Sequence, residues 1–217
     1  MPRIMKRGFT LIEVLVTLVI LMFGLLGIAG LMAKGQRASF EAFQRQQALA
    51  LANDMAERMW ANRSQSTVYA DGAPIATPLG YGNGNQYNNL LNNTIMDCGA
   101  SNCSPQNLAA YDLGQWDGLL LGYSETQTAS GNRVGGLVDA RGCIVEIANT
   151  LAACPPTPAP PATFYTRTNR ISVAWQGQED TGAPVASPSN CGTTLYGATD
   201  GRRRLVTLDV MLQVQCN

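Results

Sequence analysis

The chain has no histidine, and between Val14 and Ala33 it has no charged side chain at all. Without imidazole there is no Ser-His-Asp or Cys-His catalysis and no His-liganded metal site. Carboxylate chemistry stays open, but the expectation is a protein that is not an enzyme and uses no cofactor or metal. Charge of one sign is not in excess either, with 15 basic and 15 acidic side chains. That balance offers no basic face for nucleic acid across the whole chain, so DNA binding is not expected. Paired C-x-x-C spacings are missing as well. Six cysteines at 98, 103, 143, 154, 191 and 216, set among Gly/Asn-rich loops, read as disulfides in an oxidising compartment rather than as structural zinc.

What the 217 residues do contain is one concentrated apolar run followed by a loop-heavy remainder rich in Gly, Asn, Ser, Thr and Pro. That length fits one modest domain with an appendage, or two small domains. The twenty positions 14–33 carry only Thr17 as a polar interruption. As a helix they reach about 30 Å, the hydrocarbon thickness of a bilayer. Late small residues (Gly24, Gly27, Ala29, Gly30) also suit an ordinary secretory signal. The order of features argues otherwise: Arg3, Lys6 and Arg7, then Gly8, Phe9, the acid Glu13, and only then the long run.

Glu13 is the expensive residue. A carboxylate inside a transmembrane helix costs about 2.5 kcal/mol or more unless it is paired, neutralised or held near the headgroups. Cutting the chain after Gly8 would create an α-amine on Phe9, about 6 Å from Glu13 along a helix axis. In a bundle of parallel, staggered helices the amine of one copy meets Glu13 of the next, so each charge finds a partner in lipid and wrong registers are penalised. The cut would leave 12 basic and 15 acidic side chains, a net charge of −3.

The stretch "KRGFTLIEVLV" resembles the class III signal of type IV pilins and type II secretion pseudopilins. The resemblance implies that a prepilin peptidase cleaves between Gly8 and Phe9 and methylates the Phe9 amine, and that Phe9 and Glu13 act in assembly. "LANDMAERMWANR", residues 51–63, is similar to the run A-x-D-M-A-E-R-M-R-A-N-R of PilV-type minor pilins, with Trp60 in place of an arginine. An α+β, pilin-like fold follows by implication: a long N-terminal helix, half transmembrane, packed on a C-terminal antiparallel β-sheet with long disulfide-tied loops.

The expected organisation is a leader at 1–8, a transmembrane and assembly helix at 9–33, and its amphipathic continuation at 34–63. An irregular region follows at 64–140, then a sheet with a C-terminal loop at 141–217. In the continuation, Leu51, Met55 and Met59 recur at i, i+4, i+8 beside Ala48, Ala52 and Ala56, with Asp54, Glu57 and Arg58 on or flanking the far side. Gly24, Gly27, Gly30 and Gly35 each weaken the helix by up to about 1 kcal/mol relative to Ala, or let helices approach closely. "YGNGNQYNNLLNN" reads as an exposed loop, and 108–120 as a short helix whose Asp112 and Asp117 are solvated. That helix also carries an Asp-x-x-x-Trp pair similar to PilV-type sequences. Residues 143–148, 170–177 and 205–215 alternate as strands. "CPPTPAPP" reads as a stiff connector, 178–202 as a long loop, and Arg202, Arg203 and Arg204 as solvated.

Sequence proximity favours Cys98–Cys103, Cys143–Cys154 and Cys191–Cys216, the last as in pilins with a C-terminal disulfide loop. On the chain-entropy model these contribute roughly 2, 3 and 3.5 kcal/mol. The resemblance implies an inner-membrane protein with a periplasmic globular part that later joins a pilus at its tip or base. Its expected partners are the inner membrane, prepilin peptidase, other minor pilins, the major pilin and a tip adhesin. The role implied is priming of pilus assembly, in support of twitching motility, adhesion and DNA uptake. A type II secretion minor pseudopilin is the alternative.

Overall fold

A 51-residue helix, α1 (Leu11–Ala61), carries the apolar run and its amphipathic continuation without a break. The computed structural model describes residues 8–81, 85–123, 136–150, 164–184 and 190–216. The expected leader up to Arg7, the Pro-rich connector and Cys154 lie outside these residues. The chain divides into two units, Met1–Ala42 and Phe43–Asn217. In the first unit nothing covers the apolar side chains: Phe23 is 73% and Leu26 75% exposed. By length and composition α1 can cross a membrane.

In the second unit the same helix obeys a different rule. Ala48, Ala52, Met55, Ala56 and Met59 are buried, which is the stripe read from the 3.6-residue period. After a short 3₁₀ turn come α2 (Ser66–Gly72), β1 (Leu79–Gly80), α3 (Asn85–Leu91), α4 (Pro105–Leu120), β2 (Arg141–Asn149), β3 (Phe164–Gln176) and β4 (Arg203–Gln215). The strands form one antiparallel sheet in the order β1-β2-β3-β4. The α+β, pilin-like fold expected from the sequence is the one observed.

The inner face of the sheet supplies Ile144, Ile171, Val173, Trp175, Val206, Val210, Leu212 and Val214 to a core shared with α1 and α4. β3 begins six residues before the expected Arg170, because Phe164–Asn169 pair with β4 over Val210–Gln215. The expected surface loop around "YGNGNQYNNLLNN" is in part helical. α3 packs on α4 where Gly114 and Gly118 leave room: a Cβ on Gly118 would lie 2.5 Å from the Tyr87 ring, and one on Gly114 3.2 Å from the Gln86 carbonyl oxygen. The Gly-x-x-x-Gly spacing of α4 is thus a docking groove, and Leu90 is buried in consequence.

Cys98 and Cys103 are bonded, closing a six-residue turn. The second pairing corrects the proximity expectation. Cys143 bonds Cys191, not Cys154, so Cys191 is not bonded to Cys216. Cys143 faces outward from β2, whereas the loop after β3 folds back over that outer face. Cys191 and Tyr196 there bury against Ala174 and Leu205, forming a small second core. With a sequence separation of 48 residues, this bridge contributes about 4 kcal/mol on the chain-entropy model. Cys216 is also disulfide-bonded. Non-reducing peptide mapping is expected to recover Cys143 linked to Cys191, and a Cys143–Cys154 peptide would contradict the fold of this loop.

Candidate functional site

Gly8 and Phe9 precede the first helical turn, and Phe9 is 83% exposed. Glu13 enters α1 with its N–H on the Thr10 carbonyl at 3.1 Å. Thr17 turns its hydroxyl back onto the Val14 carbonyl at 2.8 Å, which satisfies the one polar group inside the run. Phe9, Glu13, Val14 and Thr17 border one shallow pocket of about 280 Å³, so the candidate assembly residues share a helix face. Among the described residues Glu13 has no ion pair.

The soluble half of α1 is held by α4. Ser104 caps α4, its hydroxyl accepting the Asn107 N–H at 3.2 Å, and Pro105 sits in the first turn, where its missing N–H costs nothing. One and two turns further in, α4 presents Asp112 and Trp116. Asp112 is 6% exposed, not solvated as its sequence context suggested. Its carboxylate accepts the Tyr69 hydroxyl at 2.5 Å and Arg58 Nη1 at 3.1 Å. Arg58 also binds Asp54 at 2.9 Å, and Asn62 Nδ2 reaches the Pro105 carbonyl at 2.7 Å. Trp116, fully buried, donates its indole N–H to the Leu51 carbonyl at 2.9 Å. A Cβ on Gly142 would strike that ring at 2.5 Å, so only glycine lets β2 pass beneath it.

Asp117 is fully buried too, again against expectation. It accepts the Gly80 N–H at 2.7 Å and the Tyr87 N–H at 3.0 Å, tying β1 and α3 to α4. These two aspartates are therefore fasteners and not a catalytic carboxylate pair. Sequence reading missed Tyr69, Asn62 and the two Gly contacts; the Asp-x-x-x-Trp and Gly-x-x-x-Gly spacings were the available signals.

At the other end of the sheet, Asp200 orders the C-terminal loop by accepting the Thr194 N–H at 2.6 Å and the Tyr196 N–H at 3.3 Å. Tyr196 donates to the Asp139 carbonyl at 2.8 Å, and Arg203 to the Cys191 carbonyl at 3.1 Å. Arg203 is only 2% exposed, which corrects the reading of three solvated arginines. Arg204 donates to the Gly201 and Glu179 carbonyls. Of the three only Arg202 is exposed, so they form no phosphate-binding surface. Among the described residues no group of three or more acidic or thiol side chains is placed to hold a metal ion.

Residues 3–29 match the family described as "Prokaryotic N-terminal methylation motif", and residues 31–114 match "Type IV pilin Tt1218". Over these residues the chain is similar to type IV pilins. No curated protein and no solved structure matches it. The pilin segment takes in Arg58, Asn62, Tyr69 and Asp112, so the α1–α4 fastening lies inside the part of the chain that carries the family match. The methylation motif takes in Gly8, Phe9 and Glu13. Type IV pilins are structural subunits, and a methylation motif followed by an apolar helix long enough to cross a membrane suits an anchored subunit of this kind.

Two outcomes follow for the fastening. Asp112→Ala strands Arg58 and the Tyr69 hydroxyl, and is expected to cost on the order of 3 kcal/mol in urea unfolding. Alkaline pH acts on the same site. An unfolded tyrosine loses its proton near pH 10, whereas burial holds Tyr69 and Tyr196 neutral to higher pH, helped by the Asp112 and Asp139 carboxylates respectively. The stability these two phenols contribute is whole below pH 10 and falls as pH rises above it. Thermal melts from pH 8 to 11 are expected to show that decline, reduced in Tyr69→Phe.

Proposed function

We propose that the protein is a minor pilin of the PilV type, which primes assembly of a type IV pilus as one of a set of minor pilins at its tip or base. Prepilin peptidase cleaves between Gly8 and Phe9 and methylates the new amine. The globular part stays on the periplasmic side until the subunit is drawn from the inner membrane into the filament. There it contacts other minor pilins, the major pilin and a tip adhesin, in support of twitching motility, adhesion and DNA uptake.

The observation that carries this reading is the position of Glu13: an acid with no ion pair among the described residues, on a helix whose flanking apolar side chains are all exposed. Such a carboxylate is stable in lipid only if something outside its own chain neutralises it. The Phe9 amine of an axially staggered neighbour has the right charge and reach. Pairing and membrane anchoring are then one device, and a subunit in the wrong register pays the desolvation of both charges. "LANDMAERMWANR" supports the PilV type over the alternative, a minor pseudopilin that primes a type II secretion pseudopilus. Co-purification with minor pilins or with secretion pseudopilins separates the two.

Glu13→Ala is expected to leave the processed size on immunoblots unchanged while strongly reducing the subunit in sheared pili. Piliation and twitching at the parental level in that strain would remove the assigned role.

A further inference from the structure

Among the described residues β4 closes one side of the sheet and has no strand beyond it. From Leu205 to Gln215 its backbone hydrogen bonds go to β3 alone among the described residues. In an antiparallel edge strand alternate residues turn both N–H and C=O outward, so this edge is a row of unused donors and acceptors. Within the strand itself the usual protections against strand addition are absent. The segment LVTLDVMLQVQ has no proline or lysine, and its ladder with β3 has no bulge. Its one charge, Asp209, is taken by Arg170 in two bonds of 2.7 Å on the face of the sheet. Met211 is 63% exposed.

At the Gln215 end of this edge lies a pocket of about 250 Å³ lined by Ala61, Arg63, Ser64, Phe164, Val214 and Gln215. Arg63 is exposed and makes no ion pair or hydrogen bond among the described residues. The edge thus combines an unpaired backbone with a mixed recess, in which Ser64 and Gln215 lie beside Ala61, Phe164 and Val214 and the one charge among the described residues is the Arg63 guanidinium.

We propose that the β4 edge is a strand-addition site for an extended segment of another protein, with a carboxylate of that segment seated against Arg63. The guanidinium selects the occupant. A second copy offering its own β4 brings no free acid, because the only acid on that strand is bound to Arg170. A partner with a β-branched or apolar alternation and an acid at the matching end satisfies both the edge and the pocket. The antiparallel arrangement places that acid at the partner segment's N-terminal end. The site does not depend on the PilV-type reading or on Glu13, and its test leaves both untouched.

Isotope-labelled full chain in detergent micelles, titrated with an acetylated nonapeptide of Glu followed by alternating Val and Thr, tests the site. Amide exchange should slow at alternate residues of 205–215. The peptide should bind about tenfold more tightly than its counterpart with Lys in the first position. Arg63→Glu should invert that preference while amides outside the site keep their shifts. Absence of protection along β4, equal binding of the two peptides, or peptide-free protection that grows with protein concentration would overturn the proposal, the last by assigning the edge to self-pairing.

Discussion

Asp112 joins three helices through one carboxylate. It takes the Tyr69 hydroxyl from α2 and the Arg58 guanidinium from α1, while α4 supplies the acid itself. A buried charge of this kind has no cheap alternative state, because losing Arg58 leaves it desolvated without a counter-charge and losing Tyr69 leaves one carboxylate oxygen without its donor. Trp116, one turn later, secures α1 again through the Leu51 carbonyl and packs its six-membered ring against β2 at Gly142. The placement of α1 on the sheet, and of the loops around α4, follows from this one turn of α4.

α1 therefore meets two solvents along its length. Through Met32 its side chains are apolar and uncovered, as suits lipid or a bundle of like helices. From Gln44 onward a stripe of Ala and Met is sealed under the domain. Domain packing depends on Arg58, Met55 and Met59, which lie on a different stretch of the helix from the apolar run.

The outer face of the sheet is managed differently at its two ends. Near Cys143 the C-terminal loop covers it, held by the Cys143–Cys191 bridge, Asp200 and Arg203. Toward Gln215 no described residue covers the face or the edge, with Arg170–Asp209 as an exposed ion pair and Met211 63% exposed. Disulfide and buried arginine replace the apolar mass that a loop rich in Gly, Thr and Asn does not have.

The sequence by itself determined whatever is written in a period or a short contiguous pattern: the apolar run and its misplaced acid, the Met/Ala stripe of α1, three alternating strands, and the Cys98–Cys103 turn. Each depends on neighbours a few residues away, so spacing alone reveals it. Tertiary structure alone decided which charges are buried and which cysteines meet. Asp112 and Asp117 look solvated on a helix with little amphipathic contrast, until α2, β1 and α3 bring Tyr69, Gly80 and Tyr87 to them. Arg203 looks like one of three surface arginines until the loop folds over it. Cys143 finds Cys191 because outward-facing β2 and the returning loop share a face of the sheet, a proximity that a sequence separation of 48 conceals.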